Sequence, residues 1–145
     1  MKILAVDDDE YILEILSMLV IKAGFPDIVT ATSAGDALDR ITSTSEPFQC
    51  ILLDIQMPIM DGVEFCDLLR RLPDYGECPI IMVTAMTDKV WMDQAYGAGA
   101  TDYIIKPFDY NILSARLTAA ANAVAPASED VSFRTSTDIR TISGS

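Results

Sequence analysis

The polar side chains that could carry chemistry stand directly after short apolar runs. The run ILAV precedes Asp7 and Asp8, CILL precedes Asp54, IIMV precedes Thr84, and YII precedes Lys106. Apolar runs of this length are typical of buried strands, whose ends open at the edge of a sheet. If these strands are parallel neighbours, their carboxylates, hydroxyl and ammonium group meet in one pocket beyond the carboxyl ends of the strands.

Such a pocket favours phosphoryl transfer to a carboxylate. Three crowded carboxylates repel one another unless a cation neutralises them, and Mg²⁺ prefers carboxylate, water and phosphate oxygens. Lys106 adds a second positive charge, and the hydroxyl of Thr84 can donate a hydrogen bond. Metal, ammonium and hydroxyl together neutralise a phosphoryl group while a carboxylate attacks it, and the isolated Asp54 is then the acceptor.

Alternating strands and helices must position these groups. The strands are predicted at about 2–7, 27–31, 49–54, 79–84 and 101–105. The helices are predicted at about 10–23, 34–45, after Asp61, 88–97 and 109–124. In the first helix, the apolar spacing predicts an inward face of Ile12, Leu16, Leu19 and Ala23. Five strands alternating with five helices predict an α/β fold with a doubly wound parallel sheet.

Composition narrows the class of protein further. The chain has 145 residues, half of them hydrophobic, a formal charge of −12 and no histidine. Nucleic-acid binding by this chain is not expected, because phosphate backbones require clustered Lys and Arg. No apolar run is long enough for a membrane span, and neither a signal peptide nor a disulfide framework is evident. We therefore expect a cytoplasmic protein without membrane contact.

A change in composition at Pro126 predicts a domain boundary. Residues 1–125 are expected to form the domain, and residues 126–145 a Ser/Thr-rich tail or linker, with eight Ser or Thr among those twenty residues. Pro126 is also expected to end the fifth helix. The alternation around Val131 and Phe133 leaves a docked strand open as an alternative.

The motifs, taken in order, resemble those of the receiver domains of bacterial response regulators, the CheY-like superfamily of two-component signalling. The matching segments are VDDD at 6–9, LLDIQMPIMDG at 52–62, VTA at 83–85 and GAGATDYIIKPF at 97–108. Thr84 lies thirty positions after Asp54, and Lys106 lies twenty-two positions after Thr84. The resemblance covers about residues 1–124 and implies a flavodoxin-like, five-stranded sheet in the order 2-1-3-4-5.

The resemblance also implies roles for single residues in the metal site. Asp54 would be the phosphoacceptor, and the cofactor would be Mg²⁺. Asp8 would bind the metal directly and Asp7 largely through water, while Asp54 and the backbone carbonyl of Gln56 would complete the protein ligands.

Further implied roles concern the phosphoryl group and the switch. Thr84 and Lys106 would contact the phosphoryl group, and the Lys106–Pro107 peptide bond would be cis. Tyr103 matches the aromatic residue that swings inward when Thr84 moves toward the phosphate.

The implied partners are those of a signalling module that is not an enzyme in the usual sense. A sensor histidine kinase or a phosphotransfer protein would supply the phosphoryl group. Phosphorylation would change an output face on the fourth helix, fifth strand and fifth helix. This face would bind a downstream effector or an output domain missing from this chain, and a homodimer through it is an alternative.

Two other functions share part of this pattern. A haloacid-dehalogenase-like phosphatase also uses an aspartate after an apolar strand, and Asp7 with Asp9 would supply its D-x-D pair. That interpretation leaves Asp54 without a role. A pseudo-receiver that binds partners without phosphorylation is the third interpretation, and the full set of site residues argues against it.

Overall fold

The computed structural model describes residues 1–129, which form one parallel sheet with helices on both faces. The strands are β1 (Ile3–Val6), β2 (Ile28–Ala31), β3 (Cys50–Leu53), β4 (Ile80–Thr84) and β5 (Asp102–Ile105). They are all parallel and lie in the order β2-β1-β3-β4-β5. The predicted doubly wound, flavodoxin-like fold is therefore confirmed.

Helices connect the successive strands and follow the last one. They are α1 (Glu10–Lys22), α2 (Ala34–Ser43), α3 (Gly62–Arg70), α4 (Lys89–Gly97) and α5 (Tyr110–Glu129). The side chains of Asp9, Ser33 and Asp61 accept hydrogen bonds from backbone N–H groups in the first turns of α1, α2 and α3. These contacts satisfy donors that have no partner within the helix, which explains where the three helices begin.

The core lies in two layers, one on each face of the sheet. Successive residues of β1 alternate between them: Leu4 and Val6 face α2, α3 and α4, whereas Ile3 and Ala5 face α1 and α5. Since both faces are covered, every residue of β1, β3 and β4 is buried, as the apolar runs predict. The three cysteines are buried free thiols.

The inward face of α1 differs from the predicted one by a rotation of one residue. Leu13, Leu16 and Val20 are buried, whereas Ile12 and Leu19 are only partly buried. The sequence of α1 is apolar on more than half of its circumference, so periodicity leaves the facing direction open by one position. Packing against β1 and α5 decides it.

The fifth helix extends past the proline that was expected to end it. It runs to Glu129, although Pro126, which has no backbone N–H to donate, lies near the end of the helix. The surrounding alanine-rich sequence has high helix propensity. The rest of the predicted tail, including the alternative strand at Val131 and Phe133, lies outside the described residues, and the domain boundary at 125 stays a prediction.

Candidate functional site

The strand order brings four strand ends together at one edge of the sheet. Asp7 follows β1, Asp54 follows β3, Thr84 is the last residue of β4, and Lys106 follows β5. The backbone continues this alignment beyond the strands, since Asp54 N donates to the carbonyl of Val6 and Lys106 N donates to that of Thr84. The polar groups therefore converge because their strands are parallel neighbours in register.

Three carboxylates form the acidic part of the pocket. One carboxylate oxygen from each of Asp7, Asp8 and Asp54 lies within 4.8 Å of the other two. Asp7 and Asp54 are 3% and 4% exposed, whereas Asp8 is exposed to solvent. Oxygen donors in this arrangement suit a hard divalent cation, and the exposure of Asp8 leaves an open side for water or phosphate oxygens.

Lys106 places its ammonium group between the two buried carboxylates. Its Nζ lies 2.7 Å from Asp7 Oδ2 and 3.3 Å from Asp54 Oδ2. Burial alone would lower the pKa of Lys106, but the hydrogen bond to Asp7 and the charges of Asp54 and Asp7 together raise it. Burial raises the pKa of Asp7 and outweighs the hydrogen bond from Lys106. Lys106 thus supplies the positive charge that these carboxylates require when no metal is bound.

The loop after β3 holds the other oxygen of Asp54. The backbone N–H of Gln56 donates to Asp54 Oδ1 over 3.3 Å, so Asp54 receives hydrogen bonds at both carboxylate oxygens. The side chain of Gln56 is exposed, which leaves its backbone as the part that faces the site. On the opposite side of the pocket, the Lys106–Pro107 peptide bond is cis.

A second group of contacts links the pocket to α4 and β5. Thr84 is fully buried, and its hydroxyl oxygen accepts a hydrogen bond from Met86 N over 3.4 Å. Tyr103 points inward from β5 and donates its hydroxyl to the carbonyl of Met86 at 2.7 Å. Met86 therefore connects Thr84 with Tyr103 through its backbone. Sequence reasoning missed this contact, because a backbone carbonyl leaves no signal in the residue type.

The acidic residues next to the pocket have structural contacts of their own. Asp9 caps α1 by accepting from Tyr11 N and Ile12 N, at 3.0 and 3.4 Å. The carboxylate of Asp9 is therefore engaged by the helix, as expected for an acidic residue at this position, and the backbone N–H of Asp9 donates to Asp7 Oδ1 at 2.9 Å. Asp61 forms a capping box with Glu64 at the start of α3.

Comparison with known proteins agrees with this geometry. The family model described as "Response regulator receiver domain" matches residues 3–118. The chain is 39% identical over 120 residues to the DNA-binding response regulator MtrA of Mycobacterium tuberculosis, which covers 81% of this chain and 49% of that protein. It is 35% identical over 109 residues to the signal transduction histidine-protein kinase BarA of Escherichia coli, which covers 75% of this chain and 12% of that protein. The chain thus spans about half of the length of the first of these curated relatives and much less of the second.

Solved structures extend the similarity to the whole fold. The chemotaxis protein CheY4 of Vibrio cholerae has a TM-score of 0.75 and 32% identity, covering 82% of this chain and 97% of that one. The BeF3-activated DrrB receiver domain has a TM-score of 0.73 and 30% identity, covering 83% of this chain and 97% of that one. No helix within residues 1–129 is long and apolar enough to cross a membrane.

Proposed function

Because the chain belongs to the response regulator receiver domain family, we propose that Asp54 accepts a phosphoryl group from a sensor histidine kinase or a phosphotransfer protein in a magnesium-dependent reaction. A receiver domain is a phosphoacceptor signalling module and not an enzyme in the usual sense. One observation carries the proposal: the acidic group of Asp7, Asp8 and Asp54 has the Lys106 ammonium beside it. We place this reaction in the cytoplasm.

The acidic group fits a divalent metal, since its donors are all oxygens and one side is open. In this proposal Asp8 binds Mg²⁺ directly, Asp7 acts largely through water, and Asp54 and the Gln56 carbonyl supply further oxygens. When bound, the metal would neutralise charge on the phosphoryl oxygens. The hydrogen bond from Gln56 N to Asp54 orients the acceptor carboxylate.

The transfer forms one bond and breaks another. An oxygen of Asp54 attacks phosphorus, and the P–N bond of the donor phosphohistidine breaks so that imidazole leaves. Lys106 already lies between Asp7 and Asp54, where its ammonium group can turn toward a phosphoryl oxygen. Thr84 offers its hydroxyl as a donor from the end of β4. These contacts stabilise negative charge on the transferred group.

We further propose that Thr84 and Tyr103 act as the switch. A movement of the Thr84 hydroxyl toward the phosphoryl group would release its contact with Met86 N. The same segment accepts the Tyr103 hydroxyl at the Met86 carbonyl, so the position of Tyr103 depends on it. Phosphorylation would thereby shift the population of conformations of the segment that leads into α4.

The output surface in this proposal is the α4–β5–α5 face. Four of its large apolar side chains are exposed: Val90 and Tyr96 on α4, Ile105 on β5 and Ile112 on α5. Exposed apolar groups on adjoining elements favour a protein partner, either an effector, an output domain in a longer protein, or a second copy of this chain. Light scattering after size-exclusion chromatography, with and without beryllofluoride, measures the mass of the particle. A dimer mass would identify a second copy of this chain as the partner, in place of an effector or an output domain.

Labelling with a small phosphodonor tests the acceptor directly. Acetyl phosphate should phosphorylate the wild-type chain only with Mg²⁺, and mass spectrometry should place the modification on Asp54. Asp54→Asn should remove it. Asp9→Asn is the matched control, because Asp9 lies next to the pocket but caps α1, and asparagine is also a good N-cap. Labelling without metal, or labelling of the Asp54→Asn protein, would contradict the proposal.

A further inference from the structure

Gly62 brings the backbone of α3 into direct contact with the peptide of Asp54. It is the first residue of the helix, it is buried, and its N–H donates to the carbonyl of Ile55 at 2.8 Å. A Cβ atom built on Gly62 would lie 2.1 Å from the carbonyl oxygen of Asp54 and 2.7 Å from the Cα of Ile55. Both neighbours are backbone atoms, so no change of rotamer can relieve the overlap.

The requirement at Gly62 is for space. Its φ angle lies outside the left-handed range that favours glycine, which distinguishes it from Gly99 with its φ of 111°. Glycine is therefore needed at position 62 because its backbone must approach the Asp54 peptide closely.

Neither flanking element can move freely to make room for a side chain. Phe65 and Leu69 anchor α3 in the core and are fully buried. On the other side, Leu53 pairs with β4, and Asp54 N is bonded to the carbonyl of Val6. The displacement would therefore fall on the loop that begins at Asp54.

We propose that Gly62 is a positioning residue for the metal site and the phosphoacceptor, an inference that rests on the proposed function. Real Cβ contacts essentially never fall below 3.0 Å, so a methyl group at 2.1 Å requires a shift of about 0.9 Å at the Asp54 carbonyl. Metal–ligand distances tolerate deviations of only about 0.2 Å. The loop from Asp54 to Gln56 carries two of the proposed ligands. A shift of this size would therefore move their oxygens out of the positions from which they can bind one metal ion.

Substitution of three glycines by alanine tests this assignment. Gly62→Ala is the test variant, and Gly35→Ala is a neutral control, since its Cβ would meet only Ser33 Oγ at 3.9 Å. Gly99→Ala is a destabilised control, because position 99 has a positive φ and its Cβ would lie only 2.8 Å from the Arg70 side chain. This position is at the opposite end of β5 from the pocket. For each protein, calorimetry gives the Mg²⁺ dissociation constant and thermal unfolding gives the stability.

We expect Gly62→Ala to raise the Mg²⁺ dissociation constant at least tenfold, while Gly35→Ala and Gly99→Ala leave it unchanged. The comparison with Gly99→Ala separates a lost site from a general loss of stability. If Gly62→Ala folds only with trimethylamine N-oxide, all four proteins are compared in that solvent. Wild-type affinity in the folded Gly62→Ala protein would overturn the inference, whereas absence of Mg²⁺ binding by the wild-type chain would overturn the proposed function itself.

Discussion

Replacement of Lys106 by methionine removes the positive charge from the metal-free pocket while keeping a long side chain. The ammonium lies 2.7 Å from Asp7 and 3.3 Å from Asp54. At an effective dielectric constant of about 20, these contacts correspond to gross attractions of about 6 and 5 kcal/mol. Desolvation offsets much of this. Removing one partner of a buried ion pair typically costs about 3–5 kcal/mol, and the 17% exposure of Lys106 favours a value near 3 kcal/mol.

Bound Mg²⁺ should restore most of the stability that the Lys106→Met protein loses. A dication that binds the same carboxylates takes over the neutralisation, so the stability difference between the two proteins should shrink at saturating Mg²⁺. By thermodynamic reciprocity, the variant must then bind Mg²⁺ more tightly by the same free energy. A difference of about 3 kcal/mol corresponds to an affinity about 100-fold higher. The Lys106→Met protein is thus expected to be less stable without metal and to have the tighter metal site.

Urea denaturation in EDTA and in saturating Mg²⁺ measures the free energy of unfolding of each protein. Calorimetric titration measures its Mg²⁺ affinity. Lys89→Met is the matched control, since Lys89 also lies 2.7 Å from a carboxylate, that of Asp93, but is 85% exposed. Its loss should change the free energy of unfolding by less than about 0.5 kcal/mol. Equal destabilisation of Lys106→Met with and without Mg²⁺, or unchanged Mg²⁺ affinity, would refute the assignment of Lys106 as the resident counter-charge.

Three further predictions follow from the contacts described above. Burial raises the folded-state pKa of Asp7 above 3.8, so the contribution of Asp7 to stability falls as pH rises from 3.8 through that raised pKa. Without metal, Asp7→Asn should therefore gain stability relative to the wild type as pH rises above 3.8, and urea titrations showing the opposite trend would contradict this. Tyr103→Phe leaves the Met86 carbonyl without its donor and should lower the free energy of unfolding by about 1 kcal/mol, with Mg²⁺ affinity unchanged in calorimetry. Leu13→Ala should lower the free energy of unfolding by about 2–5 kcal/mol, and Ile12→Ala should lower it by clearly less. Thermal unfolding can check this difference, and equal losses would place the buried face of α1 elsewhere.

The sequence alone was sufficient to predict the fold class and the grouping of Asp7, Asp8 and Asp54 with Lys106. The uninterrupted apolar runs before Asp7, Asp54 and Thr84 predicted buried parallel strands, and the rule that parallel strand ends share one edge predicted the pocket. N-cap residues such as Ser33 and Asp61 set the starts of their helices through contacts within a few residues. These features are local, so they can be recognised in the order of residues.

What the tertiary structure decided depends on contacts between segments far apart in the chain. The rotation of α1 toward Leu13 follows from packing against other elements, because its own sequence is apolar on several sides. The ammonium of Lys106 bonds to a carboxylate 99 positions away. The close approach of Gly62 to Asp54 and the bond from Tyr103 to Met86 involve backbone atoms, which every residue has, so only the folded arrangement distinguishes them.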